Sequence, residues 1–187
     1  MMREGHLFVI SGSSGVGKSS VLKEVMARRS DLQFSVSATS RAPRPGEENG
    51  VQYYFVSREA FCQMIEEGAF VEHDYHMDNY YGTLKSEILN KTKTCNLVLD
   101  IEPVGALRVR EIYPEATLIY IAPPSLDILE QRIRKRNDTP EEQIKVRRER
   151  AAWEDAQKEK YDFVVINDVF ENCVAEILHI ISKELDN

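Results

Sequence analysis

Four apolar runs in this chain are short and unbroken, at 6–10, 96–101, 117–121 and 163–166. Continuous rather than alternating runs of that length belong to strands buried on both faces. Helical patterns lie between them: Val21, Leu22, Val25 and Met26 recur after Lys18, and Val174, Ile177, Leu178, Ile181 and Leu185 share one face of a last helix. Strands alternating with helices predict an α/β fold, a parallel central sheet in three layers. The stretch 34–93 breaks the rhythm, being rich in Tyr, Gly and Pro with a strand-like piece at 51–56. It reads as an insertion with its own small sheet. The stretch 132–150 is dense in both charge signs and locally basic. Within it, Thr139-Pro140-Glu141-Glu142 reads as a capped helix start and Asn137-Asp138 as a turn, so a pair of helices forming a moving lid is expected.

Composition changes the picture in two ways. At 187 residues, 42% hydrophobic and 29% charged, the chain has the size of one domain. A net charge of −7 argues against a general binder of nucleic acid, because such proteins need a surplus of Lys and Arg over a face. An anionic partner must therefore meet a local basic site. No apolar run approaches the ~20 residues of a membrane helix, and residues 1–5 are too short and polar for a signal peptide, so a cytoplasmic protein without membrane attachment is expected. Cys62, Cys95 and Cys173 have no CxxC spacing, and the four histidines show no metal-ligand spacing. Trp153 reads as a packing residue.

The strongest local signal is Gly12-Ser13-Ser14-Gly15-Val16-Gly17-Lys18-Ser19, a GxxxxGK[ST] loop placed between a strand and a helix. Its glycines allow the backbone amides to wrap a phosphate, and the helix behind adds its positive end. Lys18 is placed for the β- and γ-phosphates and Ser19 for Mg²⁺. Asp100, at the end of its strand, is a candidate for Mg²⁺ on the loop side; the other reading is a cap for a helix after Gly105. A phosphate loop by itself leaves NTPases, GTPases, transporters and small-molecule kinases open.

Arg41 and Arg44, three apart and stiffened by Pro43 and Pro45, form a candidate double clamp for one dianionic phosphate. The set Ser37-Ala38-Thr39-Ser40-Arg41-Ala42-Pro43-Arg44-Pro45-Gly46-Glu47, then Gly50-Val51-Gln52-Tyr53-Tyr54-Phe55-Val56, Phe70-Val71-Glu72, Tyr80-Tyr81-Gly82-Thr83, Asp100-Ile101-Glu102, and Tyr161-Asp162 through Asn167-Asp168, resembles guanylate kinase over nearly the whole chain.

That resemblance implies a P-loop NTPase fold with a core of 1–33, 94–125 and 160–187. It adds an inserted GMP-binding subdomain with a small mixed sheet at about 34–93, and a helical lid at about 126–159. The implied reaction is transfer of the γ-phosphoryl group of ATP to GMP, and to dGMP, giving ADP and GDP. ATP would be held by Gly12, Ser13, Ser14, Gly15, Val16, Gly17, Lys18, Ser19 and Ser20, with Arg132, Arg136 and Asn167. GMP would be held by Ser37, Arg41, Arg44, Tyr53, Glu72, Tyr81, Gly82, Thr83, Asp100 and Glu102. Within that set the arginines and tyrosines would bind its phosphate, and Ser37, Glu72, Thr83 and Glu102 its base. Lys18, Arg41, Arg136 and Arg147 would be catalytic, Ser19 and Asp100 would hold Mg²⁺, and the partners would be these small molecules, with a monomer or homodimer as the assembly. Chemistry agrees with the base assignment, because guanine presents N1–H and N2–H₂ donors beside an O6 acceptor, which suit carboxylates and hydroxyls. Against the family pattern, Glu102 stands where Asp is usual, Pro103-Val104 and Asn137 replace usual residues, and Arg148 takes an apolar position. Two other readings are a phosphate-loop kinase for another acceptor and a kinase-like module that binds phosphopeptides. The carboxylate and hydroxyl set argues against the first, and the intact loop against the second.

Overall fold

The computed structural model describes residues 5–76, 78–135 and 141–186. The central sheet has the order β2-β7-β1-β8-β9, every pairing parallel. Its strands are β1 (Leu7–Gly12), β2 (Leu32–Phe34), β7 (Asn96–Asp100), β8 (Thr117–Ala122) and β9 (Phe163–Ile166). Side chains alternate between two cores. Phe8, Ile10, Ile119 and Ile121 pack against Val21, Val25, Val174, Ile177 and Ile181, which come from α1 (Lys18–Arg28) and α7 (Phe170–Asp186). Leu7, Val9, Leu97, Leu99, Leu118 and Tyr120 face the opposite layer, with Ala106 and Val109 of α4 (Pro103–Ile112) and Ile88 of α3 (Lys85–Lys91). Both faces being covered is the reason β1, β7 and β8 read as unbroken apolar runs.

A second sheet, β4-β3-β6-β5, is mixed: β3 (Ser37–Thr39) runs parallel to β4 (Tyr53–Phe55), while β6 (Asn79–Leu84) is antiparallel to both β3 and β5 (Phe70–His76). It has its own small core, in which Phe61 of α2 (Arg58–Glu66) stacks on Phe70 at 4.4 Å and on Tyr80 at 5.3 Å. The buried Glu87 ties this sheet to the core. Its carboxylate accepts from the Val36 amide at 2.9 Å and the Tyr54 hydroxyl at 3.1 Å, and pairs with Lys91 at 2.5 Å. The remaining helices, α5 (Leu126–Lys135) and α6 (Glu141–Ala156), pack on each other.

Several boundaries differ from the sequence reading. β1 continues through Ser11 and Gly12, which pair with Tyr120 and Ile121 of β8. The three-residue edge strand β2 extends the central sheet to Phe34; only Leu32 in it is buried, so no apolar run marks it. The strand-like piece at 51–56 shortens to β4 because Val51 and Gln52 are in a turn. α4 starts at Pro103, ahead of Gly105, with Glu102 as its N-cap residue. That removes the capping role considered for Asp100. The expected helix start at Thr139-Pro140 and the turn at Asn137-Asp138 lie outside the described residues. All three cysteines are free; Cys173 is buried, its thiol pushed up to about 11 by that burial, and Cys62 and Cys95 are partly buried.

Candidate active site

The glycine loop begins where β1 leaves the sheet. Gly15 and Gly17 have φ of +90° and +96°, conformations that side chains resist. Gly17 is the N-cap residue of α1, and no side chain caps that helix, which leaves first-turn amides available for a ligand. The loop is braced from three sides. The Asn167 side-chain amide, beyond β9, donates to Val16 O at 2.7 Å; Arg132 of α5 donates to Asn167 O at 2.9 Å; and Ser13 Oγ and Tyr120 OH are hydrogen-bonded at 2.9 Å. Burial holds the Tyr120 phenol well above its ordinary range, so it stays neutral. Val16 itself is in the core, its amide donating to Ser13 O, so its share in ligand binding is limited to backbone.

Gly12, Ser13, Ser14, Gly15, Gly17, Lys18, Ser19 and Ser20 line a cavity of about 240 Å³. Beside it lies a larger cleft of about 760 Å³ between the two sheets. Ser37, Arg44, Tyr53, Glu72, Tyr81, Gly82, Asp100 and Glu102 all line that cleft. Lys18 and Glu102 belong to both walls, so the loop cavity opens directly onto the acceptor cleft. Lys18 is ion-paired to Asp100, whose carboxylate is a third exposed. Burial lowers the Lys18 ammonium from its ordinary value, while Glu102 and Glu154 oppose the shift.

Behind the cleft lining, to which it does not itself belong, Thr83 donates to Glu72 Oε1 at 2.6 Å. Thr83 is fully buried and Glu72 mostly so; desolvation raises the Glu72 carboxyl, and the Thr83 hydrogen bond works the other way. Space for this carboxylate comes from Gly105 of α4, where a Cβ would stand 2.9 Å from Glu72 Cγ and 3.0 Å from its Oε2. Gly105→Ala therefore pushes Glu72 from its seat. The expected result is a GMP KM raised about tenfold with the ATP KM within about twofold, measured by steady-state kinetics; an unchanged GMP KM would mean that the Glu72 position is immaterial.

Toward the mouth, Arg41 Nη2 pairs with Glu47 Oε1 at 2.9 Å, and the Arg44 backbone amide donates to Glu47 Oε2 at 2.7 Å. Arg41 hydrogen-bonding, then the Arg44 amide, hold the Glu47 carboxyl below the usual range. The Arg41 guanidinium lies 5.6 Å from the Tyr53 and Phe55 ring centroids, and Tyr53 meets Tyr81 edge-on at 6.0 Å. The two arginines and two tyrosines are thus gathered on one wall, although Arg41 itself stands behind the cleft lining.

On the helical pair, Arg147 is half-buried and forms no ion pair among the described residues, whereas Arg136 lies outside them. Arg148 bonds to Asp127 at 2.7 Å and to Glu130, both on α5, which accounts for a charge at a position expected to be apolar. Sequence reasoning missed five groups. The partnerships of Glu47 with Arg41 and of Tyr120 with Ser13 left no local signal. Arg150 stood at the end of the charge-dense stretch and Glu154 just beyond it. Trp153, read as packing, is 51% exposed and lines the cleft.

A parallel sheet with a glycine loop at the end of its first strand, opening onto a second nucleotide-sized cleft, defines a P-loop NTPase fold built for two substrates. The model of the family "Guanylate kinase" matches residues 4–184. A guanylate kinase of Caldanaerobacter subterraneus is 44% identical over 184 residues, 97% of this chain and 89% of that protein, and one of Trichormus variabilis is 44% identical over 174 residues, 92% and 87%. A crystal structure of guanylate kinase from Anaplasma phagocytophilum has a TM-score of 0.72 at 30% identity, covering 97% of this chain and 87% of that one. The chain belongs to the guanylate kinase family.

Proposed function

We propose that this ATP:GMP phosphotransferase seats ATP on the glycine loop and GMP in the adjoining cleft, with Lys18 at the junction. The observation that carries this assignment is the shared wall: Lys18 and Glu102 line both spaces, which brings donor and acceptor phosphates onto one cation. Arg41, Arg44, Tyr53 and Tyr81 bind the GMP phosphate, Glu47 holding the Arg41 guanidinium and the Arg44 backbone amide until it arrives. Burial raises the Tyr53 phenol, which keeps it a neutral donor. Glu72, Thr83, Glu102 and Ser37 bind the base. dGMP presents the same base and phosphate to these groups and is taken as a second acceptor.

No general base is needed, because a GMP phosphate oxygen is already an ionised nucleophile. It attacks the γ-phosphorus, and the β–γ bridging oxygen leaves with ADP. The protein's work is alignment and charge stabilisation. Asp100 and the Ser19 hydroxyl are one carboxylate and one neutral oxygen donor at the loop, a set that suits Mg²⁺ when substrate phosphates and water complete the shell. Bound there, Mg²⁺ would neutralise charge on the phosphates; Asp100 would then leave Lys18 free to turn to them. Arg132 and Arg147 close over the triphosphate from the α5–α6 side, Arg136 is assigned the same role from the sequence, and the segment about 126–159 acts as the lid over a core and a GMP-binding insertion. No described helix is long and apolar enough to cross a membrane, and the acidic net charge argues against general nucleic-acid binding.

The test is nucleotide specificity. ADP release with GMP and dGMP is expected to exceed that with AMP by about 10²- to 10⁴-fold in kcat/KM, because adenine sets an N1 lone pair against Glu72 and leaves buried polar groups unpaired. Comparable rates with AMP would sink the assignment of Glu72 and Glu102 to the base.

A further inference from the structure

We propose that Arg150, on α6, is a positioning residue that aims the Glu102 carboxylate at the acceptor base; this rests on the reading of Glu102 as a base ligand. Glu102 is half-exposed at the N-terminal end of α4 and makes no capping hydrogen bond to its own helix. A glutamate so placed is free to rotate about three bonds, and ordering it on binding costs about 1–2 kcal/mol. Across the cleft, Arg150 Nη2 stands 3.5 Å from Glu102 Oε2. Arg150 is itself fixed from below, where its Nε donates to Glu154 Oε1 at 2.8 Å. Glu154 is 1% exposed and its other oxygen has no hydrogen-bond partner among the described residues, so Arg150, together with the nearby Ser14 amide and Lys18 ammonium, compensates a buried carboxylate.

The arrangement needs a planar fork. One edge of the guanidinium is committed to Glu154 while an outer nitrogen reaches Glu102; a lysine ammonium is a single point and serves one of the two. A carboxylate has about four lone-pair sites, so Glu102 can accept from Arg150 and from guanine N–H donors together. An ion pair this exposed adds little stability in water. Its effect is on direction, and it grows as bound nucleotide displaces water from the cleft. Arg147 lies one helical turn from Arg150, so an acceptor held by Glu102 is felt on the helix that carries a phosphate arginine.

The experiment is a double-mutant cycle, Arg150→Gln in the wild-type and the Glu102→Gln backgrounds, with GMP KM, ATP KM and kcat measured at saturating second substrate. Arg150→Gln is expected to raise the wild-type GMP KM about 5- to 20-fold, with the ATP KM within about twofold, and to add less than about twofold in the Glu102→Gln background. A purely structural role for Arg150 would move ATP KM and kcat as well and would act equally in both backgrounds, which overturns the proposal. A Glu102→Gln enzyme with the wild-type GMP KM overturns the base assignment and the proposal with it. Because Arg150→Gln leaves Glu154 buried without its cation, Arg150→Lys is run in parallel. It keeps a charge for Glu154, so the thermal midpoint should hold while the GMP KM still rises. A wild-type GMP KM in Arg150→Lys also overturns the proposal.

Discussion

Lys18→Ala is expected to lower kcat by about three orders of magnitude or more while leaving the fold intact, because a preorganised cation at the transferring phosphoryl group is worth that much in a water-excluded site. Lys18 is the cation that both the loop cavity and the acceptor cleft share, and burial has already stripped it of water. Its removal leaves Asp100, whose carboxylate is a third exposed and can be met by solvent. The stability change should therefore stay within about 1 kcal/mol, the range of partly exposed pairs. Coupled turnover assays and thermal melts separate the two effects. A variant that turns over at the wild-type rate would remove the phosphate-loop mechanism, whereas a variant lost to unfolding would show in the melt.

Glu72→Gln should be the most damaging change on the acceptor side, raising the GMP KM about 10²-fold, since the amide places a donor where guanine also donates and a buried polar group is left unpaired. Glu72 also predicts a pH dependence. Desolvation raises its carboxyl above the ordinary glutamate value. Below the raised value the group is protonated and donates where it should accept, so kcat/KM for GMP falls as pH drops through it, earlier than for a solvent-exposed glutamate. Glu72→Gln should lack that acid limb. For stability the sign is reversed: ionisation of the buried group disfavours the native state, so its contribution is full below the unfolded value and is lost as pH rises through the folded one. A wild-type acid limb at the ordinary carboxylate range, unchanged in Glu72→Gln, would dissociate the residue from GMP recognition.

Arg41 and Glu47 illustrate what was legible and what was not. The arginine pair stood out because proline spacing and charge are local, and so was its aim at a phosphate. That Glu47 holds both Arg41 and the Arg44 amide depends on the turn between them, which has no pattern of its own. The same holds for Arg148, whose departure from an apolar position is explained by Asp127 and Glu130, about twenty residues away on α5. In the central sheet, β1, β7 and β8 were readable because burial on both faces leaves an unbroken apolar run, and β9 was readable from its apolar run although Val164 and Ile166 are exposed at the sheet edge. β2 was not, since an edge strand of three residues with one buried side chain carries no periodicity to read.

Sequence alone determined the elements whose signal is contained in a short stretch: the glycine loop, whose positive φ values only glycine adopts easily, the buried strands, and the final amphipathic helix. It also showed which chemical groups were available, cations suited to phosphates and carboxylates suited to the donors of a base. Only the tertiary structure decided which of these groups meet. Lys18 and Asp100 are 82 residues apart, Asn167 reaches Val16 across 151, and the bridge from Glu154 through Arg150 to Glu102 joins a helix of the charged segment to the mouth of the acceptor cleft. Such contacts depend on strand order and helix packing, which arise from the balance of the whole core; a side chain's own neighbours along the chain do not encode where that balance will place it.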